Sequence, residues 1–165
     1  MTVLSVLKQA DIFYDLTDTQ LELIASICEE KTYDKGDLIF AENSPGHEMY
    51  VIMEGEVAIE LDPALVGRTD VSGPQVLTVL GRWQVFGEVA LVDEGVRSAS
   101  ARSVRHNTRV LVIPRDKLML LCETYPQLGY RLMRNLAADL AMKIRHTDLQ
   151  IRAQLTWGGH ENAED

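Results

Sequence analysis

The chain has 165 residues, 46% apolar and 25% charged, which is room for one domain with a real core and the balance of a soluble globular protein. A net charge of −9, from 16 basic against 25 acidic residues, holds off a nucleic-acid partner. No run approaches the ~18 apolar residues of a membrane helix, and the N-terminus lacks the basic start and apolar core of a signal peptide, so a cytoplasmic setting is expected.

Residues 1–30 read as helical. Val3, Leu4, Val6 and Leu7 make a short first helix, and Thr17-Asp18-Thr19-Gln20 has the form of a capping box, with Leu21, Leu23, Ile24 and Ile27 at helical spacing behind it. Ile12-Phe13-Tyr14 is expected to pack between the two helices. From Lys31 turn signals recur, among them Asp34-Lys35-Gly36, Asn43-Ser44-Pro45-Gly46, Glu54-Gly55 and His106-Asn107. Between them lie β-rich runs at 38–40, 49–52, 57–59, 76–79 and 110–113, and short strands at this spacing argue for a sandwich or barrel. The polar segment Asp62 to Gly73 reads as a longer hairpin loop, a tolerated surface insertion. After Pro114 helix returns. Arg115 to Glu123 forms one, Tyr125 ends it as the residue before a proline, and Pro126 opens another that runs to about Leu155. The apolar stripe of that helix reads Tyr130, Met133, Ala137, Leu140, Ile144, Ile151, with Leu136 and Leu155 beside it. Its first half is expected on the β-domain and its second on a partner helix, in coiled-coil fashion. The tail, 156–165, reads as frayed. Cys28 and Cys122 lie far apart within helical patterns and read as buried thiols.

One stretch carries chemistry. Phe86-Gly87-Glu88-Val89-Ala90-Leu91-Val92 reads as a strand end, a glycine and a short helix-like segment, followed by a loop and a strand opening with Arg97-Ser98-Ala99. Backbone amides after Gly87, the forked guanidinium of Arg97 and the Ser98 hydroxyl suit an anion. Glu88 does not, because phosphate repels a carboxylate, unless it accepts from a sugar hydroxyl beside that phosphate. One acid for a ribose and one arginine for a phosphate describe a nucleotide pocket. The competing reading is a Glu88–Arg97 salt bridge across a loop.

Phe86-Gly87-Glu88 with Arg97-Ser98-Ala99, at this spacing, resembles the phosphate-binding cassette of the cyclic nucleotide-binding domain family, to which the catabolite activator type of regulator and the regulatory subunit of cyclic-AMP-dependent kinase belong. Gly36, Gly46 and Gly55 also fall where that family has turn glycines, whereas Trp83 stands where it often has glycine. The resemblance implies a mainly β fold, a β-roll (double-stranded β-helix of jelly-roll type) over 31–114, with helices over 1–30 and C-terminal helices over 115–155. It implies that Glu88 holds the ribose hydroxyl and Arg97 the cyclic phosphate, within a ligand-binding set of Phe86, Gly87, Glu88, Val89, Ala90, Arg97, Ser98 and Ala99. It implies also that the long helix closes over the base and forms a homodimer. Leu140, Lys143 and Ile144 would cap the base. Because Lys143-Ile144 replaces a polar Thr-Ser pair of the catabolite activator type, cAMP, cGMP and a larger dinucleotide all stay open. That type continues into a helix-turn-helix domain. Here ten residues follow the long helix, so no DNA binding of that kind is expected.

Other chemistries lack their residues. His47, His106, His146 and His160 are too scattered for a metal-dependent jelly-roll enzyme, two cysteines do not hold an iron–sulfur cluster, and no serine sits in a Gly-x-Ser-x-Gly elbow. No catalytic residue, metal or cofactor is expected. Two functions remain: a cyclic nucleotide sensor that passes its state through the long helix to an unknown downstream protein, or a dimeric interaction module with a degenerate pocket.

Overall fold

The computed structural model describes residues 1–67, 70 and 72–158. Two antiparallel sheets lie face to face with helices over one of them. The first has strand order β1-β8-β3-β6, where β1 is Glu29–Tyr33, β8 Thr108–Pro114, β3 Glu48–Glu54 and β6 Val85–Phe86. The second has order β2-β7-β4-β5, where β2 is Leu38–Phe40, β7 Ser100–Ser103, β4 Val57–Leu61 and β5 Gln75–Leu80. This is the β-roll implied by the cassette.

β3 explains the layering. Successive side chains of a strand point to opposite faces. Met49, Val51 and Met53 therefore enter the core beneath the helices, and Tyr50 and Ile52 enter the core between the sheets. The helical layer comprises α1 (Val3–Leu7), α2 (Asp18–Ala25), α3 (Arg115–Thr124) and α4 (Pro126–Gly158). α2 starts where both bonds of the capping box form: Gln20 N–H donates to Thr17 Oγ1 at 3.2 Å, and Thr17 N–H donates to Gln20 Oε1 at 2.9 Å. Tyr125, at φ −121°, closes α3, and Pro126 opens α4.

Several expectations need correction. Helix stops at Ala25, and β1 begins at Glu29. Its Glu-Glu-Lys-Thr-Tyr sequence lacks an apolar alternation because β1 is an edge strand, where charge is tolerated and deters further pairing. Ile12 and Phe13 are buried in a 3-10 turn (Asp11–Phe13), but Tyr14 is 75% exposed. The strand expected to open at Arg97 opens at Ser100. Within Asp62–Gly73 a 3-10 turn spans Pro63–Val66, and residues 68, 69 and 71 lie outside the described residues. α4 runs to Gly158, so the frayed-tail reading falls on helix at 156–158, and its remainder, 159–165, lies outside the described residues.

The stripe of α4 is also rotated from the one expected. Leu128, Leu132 and Leu136, at i, i+4 and i+8, carry the burial, each contributing about 1.5–3 kcal/mol, whereas Tyr130 faces out. Asn135 adds a clamp: its Nδ2 donates to the Ile12 and Tyr14 carbonyls at 3.0 and 2.8 Å. With the Arg131–Asp15 ion pair at 2.9 Å, it straps the N-terminal turn to α4. Beyond Leu140 every described side-chain position of α4 is exposed.

Candidate functional site

A cavity of about 410 Å³ opens between the second sheet, the segment after β6 and α4. All eight residues of the expected ligand-binding set line it: Phe86 to Ala90 from one side, Arg97 to Ala99 from the other. Ile59, Thr78 and Leu80 supply the sheet wall, and Gln9, Asp11 and Ile12 the N-terminal edge.

The loop geometry starts at Gly87. Its φ of +72° is left-handed, and a Cβ there would stand 2.8 Å from Arg97 Nη1, so both conformation and space call for glycine. It caps a four-residue 3-10 turn, Glu88–Leu91, whose first amides have no partner within the turn. Gly46 serves differently. Its φ is ordinary, but a Cβ would meet Arg97 Nε at 3.0 Å and Cζ at 3.1 Å, so its bareness makes room for the guanidinium.

Arg97 is held on every side except one. Its amide donates to the Ser44 carbonyl, and its own carbonyl accepts from Asn43, both at 2.8 Å. Nη1 donates to the Gly87 carbonyl at 3.2 Å and Nη2 to the Glu48 carbonyl at 2.7 Å. The guanidinium lies 4.1 Å from the Phe40 ring centre and 5.8 Å from that of Tyr50, in an aromatic group where Tyr50 stacks on Phe86 at 4.9 Å. Arg97 is 6% exposed, and among the described residues its Nε is the one buried side-chain polar atom without a hydrogen-bond partner. Burial holds its pKa below the usual range for arginine, against the opposing pull of Tyr50, Glu48 and Glu88. The result is a buried, pre-oriented cation whose bonds go to carbonyls and not to a carboxylate.

Glu88, 5% exposed, does not bridge to Arg97. Its Oε1 accepts from Lys143 Nζ, which reaches down from α4 and also meets Asp139 Oδ2 at 2.9 Å. Burial alone would lower the Lys143 pKa, but the Glu88 and Asp139 carboxylates outweigh it and hold the ammonium above its usual range. Of the three residues expected at the base, Lys143 lines the cavity, Leu140 is half-buried on the core beneath the helices, and Ile144 is 63% exposed and off the cavity.

Sequence reasoning missed Asp139 and Phe40, and it placed Gly46 in a turn without its role beside Arg97. An Asp-to-Lys step of four residues on a helix was the available signal for Asp139. Phe40 and the Glu48 carbonyl had none, since only the sheet pairing brings them to Arg97. Trp83 lines the cavity at φ +73°, the left-handed conformation in which glycine is at ease, and its half-buried indole packs on the core. Among the described residues no group of three or more His, Cys, Asp or Glu could hold a metal ion.

Residues 30–125 match the family model of the cyclic nucleotide-binding domain. Over 88% of its length the chain is 32% identical to the cyclic AMP receptor protein of Thermus thermophilus, of which it covers 62%. It is 27% identical, over 96% of its length, to a cGMP-dependent protein kinase isozyme 2 form of Drosophila melanogaster, covering 17% of that kinase. Among solved structures, the Thermus thermophilus catabolite activator protein superposes with a TM-score of 0.72 at 31% identity, across 88% of this chain and 63% of that one. The chain thus spans a little under two thirds of the receptor protein it matches.

Proposed function

Because the chain belongs to the cyclic nucleotide-binding domain family, we propose that it is a regulatory rather than catalytic domain that binds cAMP or cGMP in the Glu88/Arg97 cavity. The observation that carries this reading is Arg97, a buried guanidinium with a free Nε and no carboxylate against it. A buried charge without a counter-ion is costly, and an anionic ligand supplies one. Beside it, Glu88 suits a ribose hydroxyl, and the Ile59–Leu80 wall suits a base. The charge census favours a mononucleotide. Four carboxylates (Asp11, Glu88, Asp93, Asp139) line the cavity against two cations, Arg97 and Lys143, a poor site for a second phosphate.

The occupied state would pass to a downstream protein through α4. Its exposed apolar residues Ile144, Ile151 and Leu155 support a homodimer through that helix. A cytoplasmic signalling role accords with this, and among the described residues no helix is long and apolar enough to cross a membrane. The alternative, a dimeric interaction module that takes no nucleotide, has one observation in its favour: Glu88 already carries Lys143.

Calorimetric titration with cAMP, cGMP and cyclic dinucleotides decides between them. Saturable binding of one cyclic mononucleotide is expected. No heat at millimolar ligand would leave the interaction module standing.

A further inference from the structure

The pocket contains a pairing that neither the cassette nor the base contacts require. Lys143 Nζ bonds the carboxylate expected to take the ribose, and Asp139, one helical turn earlier, supports it from behind. Lys143 has half its side chain in solvent, so nothing in the core demands that it turn inward. Among the described residues it is also the last side chain of α4 to bond the β-roll, because all positions after Leu140 are exposed and the hydrogen bonds and ion pairs from 144 onward stay within the helix.

We propose that Lys143 is a positioning residue, the counter-ion that stabilises the Glu88 carboxylate as a hydroxyl acceptor beside a phosphate. The proposal rests on the cyclic nucleotide reading above. A buried carboxylate next to an anion site is electrostatically unfavourable by itself, and Arg97, although it attracts Glu88 at a distance, makes no bond to it: its Nη1 and Nη2 go to the Gly87 and Glu48 carbonyls. An ammonium on one carboxylate oxygen relieves it and leaves further acceptor positions for a hydroxyl. Lys143 and the ribose hydroxyl would then share Glu88 rather than compete for it.

The test uses the full chain as wild type, Lys143→Met and Lys143→Arg. Each is titrated with cAMP and cGMP and their 2′-deoxy counterparts. Lys143→Met should lose about tenfold or more in affinity for the ribonucleotide and narrow the ribo-to-deoxy ratio, as expected for a charge-assisted contact. Lys143→Arg should recover most of both. A Met variant that binds as tightly as wild type or tighter, or that weakens both ligands equally, overturns the role of Lys143 while leaving the nucleotide reading intact. A wild type that binds no cyclic nucleotide overturns both readings.

Discussion

Arg97 is fixed in place by the protein alone. Two carbonyls, two aromatic faces and two bare glycines fix its guanidinium, so the ordering entropy of a long side chain is already spent on folding. Arg97→Ala is therefore expected to cost about 2–3 kcal/mol of nucleotide affinity, and Arg97→Lys should restore only part, since an ammonium cannot reproduce the fork. Equal calorimetric affinities for wild type and Arg97→Ala would remove the cavity as the site. Trp83 offers a second test. Its left-handed φ of +73° strains any residue with a Cβ, while its indole gains from packing. Both Trp83→Ala and Trp83→Gly should lower stability. The glycine variant should be the more stable of the two by about 1 kcal/mol in urea unfolding, because it alone sheds the strain.

α4 does two jobs along one helix. Up to Leu140 it is part of the monomer, held by Leu128, Leu132, Leu136 and the Asn135 clamp. Past that point its apolar residues face outward. A dimer interface would begin there, so the residues to change are Ile144 and Ile151. Leu140 packs on the core, and a charge there would damage the fold itself. Ile144→Glu with Ile151→Glu should turn a homodimer into a folded monomer in sedimentation velocity, with an unchanged circular dichroism spectrum apart from the distal helix. A wild type that sediments as a monomer at tens of micromolar would end the dimer proposal.

At the scale of the whole molecule, burial predicts how stability responds to base. The Cys28 thiol is pushed up to about 12 from an ordinary value near 9 by burial, and Tyr33 and Tyr50 are raised by burial and by the Glu48 carboxylate. A folded state that holds its protons more tightly than the unfolded chain is favoured below the unfolded pKa and loses that advantage as pH rises toward the folded one. The urea midpoint should hold steady up to about pH 9 and fall between there and pH 12, and Cys28→Ala should flatten part of the decline. An equally steep fall in that variant would assign the effect to the tyrosines and to the Cys122 thiol, which burial also raises.

What the amino-acid sequence determined by itself was whatever is encoded locally. The capping box at Thr17, the Tyr125-Pro126 break, five of the strand cores and the Gly87-Glu88 … Arg97-Ser98 cassette all act through neighbours a few residues away, so they can be read in one dimension. The cassette also carried the family and, through it, the β-roll. Tertiary structure decided the rest. It made a strand of Glu29–Tyr33, because pairing with Thr108–Val112 outweighs a composition with no apolar alternation, of which Glu29 and Glu30 read as the end of a helix. It chose Leu128, Leu132 and Leu136 over Tyr130 as the buried face of α4, since either stripe satisfies helical spacing and only the shape of the roll distinguishes them. It gave Glu88 a partner 55 residues away in Lys143 and left Arg97 to backbone carbonyls, which sets aside the competing Glu88–Arg97 pair that charge alone allowed. Sequence names the charges in a pocket, but which of them meet depends on how far apart the fold holds them, and Coulomb attraction and desolvation act on those distances.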